Sequence, residues 1–148
     1  MIFINIRQKI AATPEMVKST LLDHAQLHRF FNAKFLLIKS QNSGEVVGGK
    51  GAIRQIQMSG LEFKEQIISA DDNHISYQII GNKPVAKHQG DIYFSAAEDE
   101  VTPVTAITYC IQCAAPWWLP SFILKFFIEK DIVSALKKLN SHFKEQTI

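Results

Sequence analysis

The stretch LPSFILKFFIEKDIVSALKKLNSHFKE, residues 119–145, decides the fold, because it predicts one long helix towards the end of the chain. Apolar residues recur in it every three or four positions, which places them on one face of a helix. This face consists of Ile128, Ile132, Ala135, Leu136, Leu139 and Phe143. The part before it, residues 122–127, is apolar on nearly every side. Such a segment is either covered on all sides or contacts another apolar surface.

Most of the remaining chain predicts strands, because apolar and polar residues alternate along it. The predicted strands cover residues 2–7, 36–40, 52–58, 61–69, 75–79, 88–94 and 104–113. Thr13 and Pro14 are typical of a helix start, and a second short helix is predicted over residues 25–31. We therefore expect an α+β fold in which a curved antiparallel sheet of about seven strands wraps around the long C-terminal helix, with two short helices after the first strand.

The link Ser59-Gly60 between two of these strands predicts a tight hairpin. A two-residue turn would place Arg54 directly opposite Glu65, on the apolar side of both strands. Buried charges occur mostly in pairs, because removing one charge alone from water is very unfavourable. Two interpretations stay open, namely a structural ion pair at the end of the sheet and a polar anchor inside an apolar cavity.

The composition limits the class of protein. The chain has 148 residues, of which 47% are hydrophobic, and this is enough for one domain over residues 1–148. A net charge of +2 is too small to indicate a nucleic-acid partner. The first residues lack the order of a signal peptide, and no apolar run reaches the roughly 18 residues of a transmembrane segment. Two cysteines fit a reducing compartment, so we expect a cytoplasmic protein.

Two spacings resemble metal-binding motifs but lack the context that such sites need. Cys110 and Cys113 end a predicted strand, where residues three apart point to opposite faces. His24 and His28 are four residues apart, but the glutamate of the zinc-protease motif is missing, so we expect a solvated pair. We therefore predict no metal site and no cofactor.

Several segments occur in an order and spacing typical of one superfamily. They are IAATPEMV (10–17), LLDH (21–24), Phe30-Phe31, GAIR (51–54), FKEQI (63–67) and ISYQI (75–79). Together with the closing helix around Leu136, they resemble the START-like, or SRPBCC, superfamily, and most closely its polyketide cyclase/dehydratase-like and lipid-transport branch. The resemblance covers essentially the whole chain. The resemblance implies a helix-grip fold with a deep apolar cavity between the sheet and the long helix. It does not fix a reaction.

Three functions follow from these patterns. We expect the chain to bind a small hydrophobic ligand, of lipid, polyketide or aromatic type, in that cavity. One alternative is an enzyme of the polyketide cyclase/dehydratase type, since Arg can hold a carboxylate or enolate and Tyr or His can donate to a carbonyl. Another is an interaction module that contacts a second copy or another protein through the apolar surface Trp117–Phe127. Whether that surface is buried or exposed stays open.

The candidate residues come from the inward faces of the predicted elements. The candidates for catalysis are Arg54, Glu65, Tyr77 and His88. The predicted ligand-binding residues are Arg54, Ile56, Phe63, Glu65, Tyr77, Ile79, Ile92, Phe94, Tyr109, Trp118, Phe122, Phe126, Ile132 and Leu136.

Overall fold

A curved antiparallel sheet and one long helix build the protein, as a computed structural model of residues 1–97 and 101–146 shows. The strands are β1 (Ile2–Ile10), β2 (Lys34–Lys39), β3 (Ile53–Met58), β4 (Leu61–Ala70), β5 (His74–Ile79), β6 (Ala86–Ala96) and β7 (Thr105–Ala114). The helices are α1 (Pro14–Leu22), a 3₁₀ helix (His24–Arg29) and α2 (Ser121–Gln146).

The seven strands lie in the order β1-β7-β6-β5-β4-β3-β2, and every neighbouring pair is antiparallel. Strands β2 to β7 are neighbours both along the chain and in the sheet, while β1 joins at the far side, next to β7. The predicted α+β helix-grip architecture is thereby confirmed. The predicted second helix is a 3₁₀ helix rather than an α-helix, in keeping with its length of only six residues.

Helix α2 packs on the sheet through the apolar stripe of its second half. Ile132, Ala135, Leu136, Leu139 and Phe143 are buried, as their spacing predicts. The side-chain oxygen Oδ1 of Asn140 also accepts a hydrogen bond of 2.9 Å from the backbone N–H of Ala11, just after β1. The second half of the helix is therefore held by apolar packing and by a polar contact to the chain beyond the first strand.

The approach to α2 and its first half leave large aromatic side chains uncovered. Trp117 is 96% exposed, Phe122 76% and Phe126 62%, and Trp118 and Phe127 are also exposed. Leu124 and Ile128, on the same side of the helix as the buried stripe, are partly buried against the core. The exposed side chains form what we call the aromatic surface, Trp117–Phe127.

The hairpin between β3 and β4 sets the register of the candidate site. Ser59 and Gly60 have φ values of +51° and +78°, so both turn residues lie in the left-handed region, as in a type I′ turn. Met58 then pairs with Leu61 and Arg54 pairs with Glu65, as predicted. Because side chains alternate along a strand, these four residues share the concave face of the sheet.

Candidate functional site

A buried ion pair forms the centre of the candidate site. Arg54 donates from Nε and Nη2 to the same oxygen of Glu65, Oε1, at 3.0 and 2.6 Å. Both residues are buried. Since the hairpin register places them directly opposite each other, the pair comes from adjacent strands without any help from loops.

His24 supports the arginine from the other side. Arg54 Nη1 donates to His24 Nδ1 at 3.2 Å, and His24 Nε2 lies 2.8 Å from the carbonyl oxygen of Gly48. Nε2 therefore donates to that carbonyl and Nδ1 accepts, which fixes a neutral ring. Burial, and then the charge of Arg54, lower the pKa of His24 to about 4. The prediction of a solvated pair is wrong for His24, whereas His28 is exposed.

Aromatic rings cover the guanidinium group of Arg54. Its Cζ lies 4.9 Å from the ring centre of Tyr77 and 5.5 Å from that of Phe35. These distances are in the range of cation–π contacts. The hydroxyl groups of Tyr77 and Tyr109 are hydrogen-bonded to each other. Burial raises the pKa of Tyr77, and it raises that of Tyr109 to about 12, so both phenols are uncharged at neutral pH.

Gly90 makes room for Tyr77. It pairs with Tyr77 across β5 and β6, and a Cβ atom on it would lie 2.3 Å from Cζ of the tyrosine ring. Real side chains do not approach so closely, and a packed interior has no spare volume to absorb the clash. The ring can therefore lie over β6, and reach Arg54, only because residue 90 has no side chain.

His88 faces the second oxygen of Glu65. The backbone N–H of Ile79 donates to His88 Nδ1 at 3.1 Å, and His88 Nε2 lies 4.0 Å from Glu65 Oε2. Burial lowers the pKa of His88, with Glu65 opposing that change and Arg54 adding to it. A neutral ring that accepts at Nδ1 carries its proton on Nε2, so His88 presents an N–H group towards Glu65.

A surface groove of about 690 Å³ lies at the hairpin end of the concave face. It is lined by His28, Phe31, Asn32, Ala33, Lys34, Gln57, Met58, Ser59, Gly60, Leu61 and Glu62. Ring contacts connect it with the ion pair, because Phe31 lies 6.1 Å from Phe35, which in turn covers Arg54. A second pocket, of about 250 Å³, lies around Phe3 and Asp91.

The polyketide cyclase / dehydrase and lipid transport family has a sequence model that matches residues 1–144. The chain belongs to this family. Among solved structures, it resembles a START superfamily protein from Mycobacterium smegmatis, with a TM-score of 0.78 at 11% identity, over 97% of this chain and 98% of the other. It also resembles XoxI from Bacillus cereus, with a TM-score of 0.74 at 14% identity, over 100% and 99% of the two chains. No curated protein sequence matches it.

These comparisons confirm the fold expected for this polyketide cyclase/lipid-transport family member. Within that fold, the predicted site residues fall into three groups. The polar ones, Arg54, Glu65, Tyr77, His88 and Tyr109, come together in what we call the polar cluster, which His24 joins. A second group is buried or partly buried, namely Ile56, Phe63, Ile79, Ile92, Phe94, Ile132 and Leu136. Trp118, Phe122 and Phe126 form the third group and are exposed.

The predicted cavity between sheet and helix stays a prediction. None of the predicted ligand-binding residues lines the groove or the smaller pocket, and no described residue of α2 lines either of them. Helix α2 nevertheless comes close to the groove, because the Asp131 carboxylate interacts with the backbone N–H of Asn32, a groove residue. That interaction opposes the effect of burial, which raises the pKa of Asp131.

Among residues 1–97 and 101–146, no three His, Cys, Asp or Glu side chains are placed to hold a metal ion. Cys113 is buried on the concave side of β7 and Cys110 is partly buried on the opposite side, as their spacing predicts. No helix within these ranges is both long enough and apolar enough to cross a membrane.

Proposed function

We propose that this family member binds a small apolar molecule, of lipid, polyketide or aromatic type, against the concave face of the sheet. In this proposal the groove is the entrance and the polar cluster is the inner end of the binding site. The supporting observation is the series of contacts in which the ring of Phe31 lies near that of Phe35 and the ring of Phe35 covers Arg54. These contacts lead from the open surface to the buried polar groups. Apolar walls with a few convergent polar groups are typical of ligand sites.

The two thiols, which point to opposite sides of β7, support a cytoplasmic location.

A fluorescence titration with 8-anilinonaphthalene-1-sulfonate (ANS) tests ligand binding. For the wild type we expect a saturable enhancement of ANS fluorescence. For Leu61→Asp we expect about a tenfold weaker affinity for ANS, because a carboxylate at residue 61 would face the groove, where its desolvation is unfavourable. Ile68→Asp is the matched control, since Ile68 is also exposed on β4 but does not line the groove. Absence of saturable binding by the wild type, or equal weakening in both variants, would contradict the proposed site.

An enzyme of the cyclase or dehydratase type is the alternative that uses the same residues. All three nitrogen atoms of Arg54 already donate to Glu65 or His24, so this alternative relies on Glu65 Oε2 and His88 Nε2. The Glu65 carboxylate can accept a proton from a ligand, and the Nε2–H group of the neutral His88 ring can donate a hydrogen bond to a carbonyl oxygen of that ligand. Mass spectrometry of a bound ligand recovered after incubation distinguishes the two functions, because a carrier returns its ligand unchanged.

A protein-interaction module is the second alternative, and the exposure of the aromatic surface favours it. Five large aromatic side chains are uncovered there, and exposed apolar patches of this kind mark contact sites. If the surface joins two copies of the chain, sedimentation velocity should show a dimer that Phe122→Ser with Phe126→Ser converts to a folded monomer. A wild-type protein that stays monomeric at all concentrations would contradict self-association through this surface.

A further inference from the structure

The gap between Glu65 and His88 has defined hydrogen-bonding requirements. Arg54 donates from Nε and Nη2 to Oε1 of Glu65, which leaves Oε2 facing His88 Nε2 across 4.0 Å. That distance is too long for a direct hydrogen bond. One oxygen atom placed about 2.8 Å from each of the two atoms, however, would lie within hydrogen-bonding distance of both.

The two atoms are open to an incoming group. Every fully buried side-chain nitrogen and oxygen in residues 1–97 and 101–146 has a hydrogen-bond partner. Oε2 of Glu65 and Nε2 of His88 face each other beyond hydrogen-bonding distance. These two atoms are therefore not among the fully buried ones. Solvent, or a polar group of a ligand, can therefore reach the gap.

The chemistry of the two sides determines which polar group fits. His88 presents an N–H group, because its other ring nitrogen accepts from the backbone of Ile79. The carboxylate oxygen of Glu65 can only accept. A group that lies between them must accept one hydrogen bond and donate another, and a hydroxyl group does both with a single oxygen atom.

Other common ligand groups fit the gap less well. A carboxylate would lie beside the negative charge of Glu65, and three of the five N–H groups of Arg54, its natural partner, are already bonded to Glu65 and His24. An ether or ketone oxygen would accept from His88 but would leave Glu65 Oε2 without a hydrogen bond. Leaving a buried acceptor unpaired is unfavourable.

We propose that the polar cluster selects an uncharged apolar ligand that ends in a hydroxyl group, as in an alcohol, phenol or enol, over ligands that end in a carboxylate. The hydroxyl oxygen accepts from His88 Nε2 and its proton is donated to Glu65 Oε2. In the free protein a water molecule can make the same two bonds, and a hydroxyl group reproduces them when it displaces that water. This inference rests on the proposed ligand-binding function.

Three matched ligands test the selection at pH 7.5. They are 1-decanol, its isomer 1-methoxynonane, and decanoate, each used to displace ANS from the wild-type protein. The ether has the same atoms as the alcohol but cannot donate a hydrogen bond, and the carboxylate adds a charge. We expect 1-decanol to displace ANS at concentrations at least tenfold lower than either of the others.

Glu65→Gln, checked for folding by circular dichroism, provides the matched variant. The amide removes the charge and supplies its own donor, so the preference for alcohol over decanoate should fall below threefold. If this variant does not fold, the ranking of the three ligands on the wild type still decides the question.

The outcomes separate this inference from the proposed function. Equal displacement by the alcohol and its isomeric ether, or stronger displacement by decanoate, overturns the hydroxyl selection and leaves apolar binding intact. Absence of saturable ANS binding, with no effect of any of the three ligands, overturns the binding function itself.

Discussion

Replacing Glu65 with alanine is expected to lower the free energy of unfolding by about 3–5 kcal/mol, because the change leaves Arg54 buried without its counter-charge. Both donors that Arg54 directs at Oε1 would lose their acceptor, and only the bond to His24 would remain. Urea unfolding followed by circular dichroism measures the difference.

Glu62→Ala is the control for this substitution. Glu62 lies on the same strand and also accepts hydrogen bonds, from Gln55 and Gln57, but it is exposed. Surface substitutions of this kind change stability by about 0.5 kcal/mol or less. If Glu65→Ala and Glu62→Ala unfold at the same urea concentration, the ion pair does not have the structural role inferred here.

Stability is also expected to fall as the pH is lowered from about 6.5 towards 4. The pKa of His24 is about 4 in the folded protein, against an ordinary value of 6.5. In this range the unfolded chain binds a proton that the folded protein does not, so the folded state loses stability as the pH falls. A difference of this size corresponds to about 3 kcal/mol in total. Burial also lowers the pKa of His88, which acts in the same direction.

Comparison with His24→Gln isolates this effect, because glutamine does not titrate. The difference in free energy of unfolding between wild type and His24→Gln should shrink, or change sign, between pH 7.5 and 4.5. His28→Gln removes an exposed histidine outside the cluster and is the control substitution. Parallel curves for the wild type and His24→Gln would show that His24 does not titrate in this way.

Features that depend on local periodicity could be predicted from the sequence. The buried stripe of α2 follows from the spacing of residues such as Ile132 and Leu136, and this spacing is a property of the helix itself. The pairing of Arg54 with Glu65 follows from the two-residue turn at Ser59-Gly60, since a tight turn fixes the register of both strands.

Features that depend on contacts between distant segments could not be predicted. His24 is buried because Gly48 and Arg54, 24 and 30 residues away, satisfy both of its ring nitrogens, and no local pattern indicates this. The role of Gly90 becomes visible only when β5 is laid beside β6 and the ring of Tyr77 falls on it.

The aromatic surface illustrates a different limit of sequence analysis. The composition of residues 117–127 is equally compatible with a buried helix start and with an uncovered one. The outcome depends on whether another element lies over that side of α2, and the side chains of Trp117, Phe122 and Phe126 are exposed. The location of the groove was missed for a similar reason, because it depends on how the hairpin and the segment after the 3₁₀ helix diverge.

A crystal structure of the protein with 1-decanol tests the central claim most directly. We expect the alkyl chain on the concave face and the hydroxyl oxygen within about 3.2 Å of both Glu65 Oε2 and His88 Nε2. An alcohol bound only in the outer groove, beside Phe31 and Leu61, or a gap closed by direct contact between Glu65 and His88, would contradict a ligand site that ends at the polar cluster.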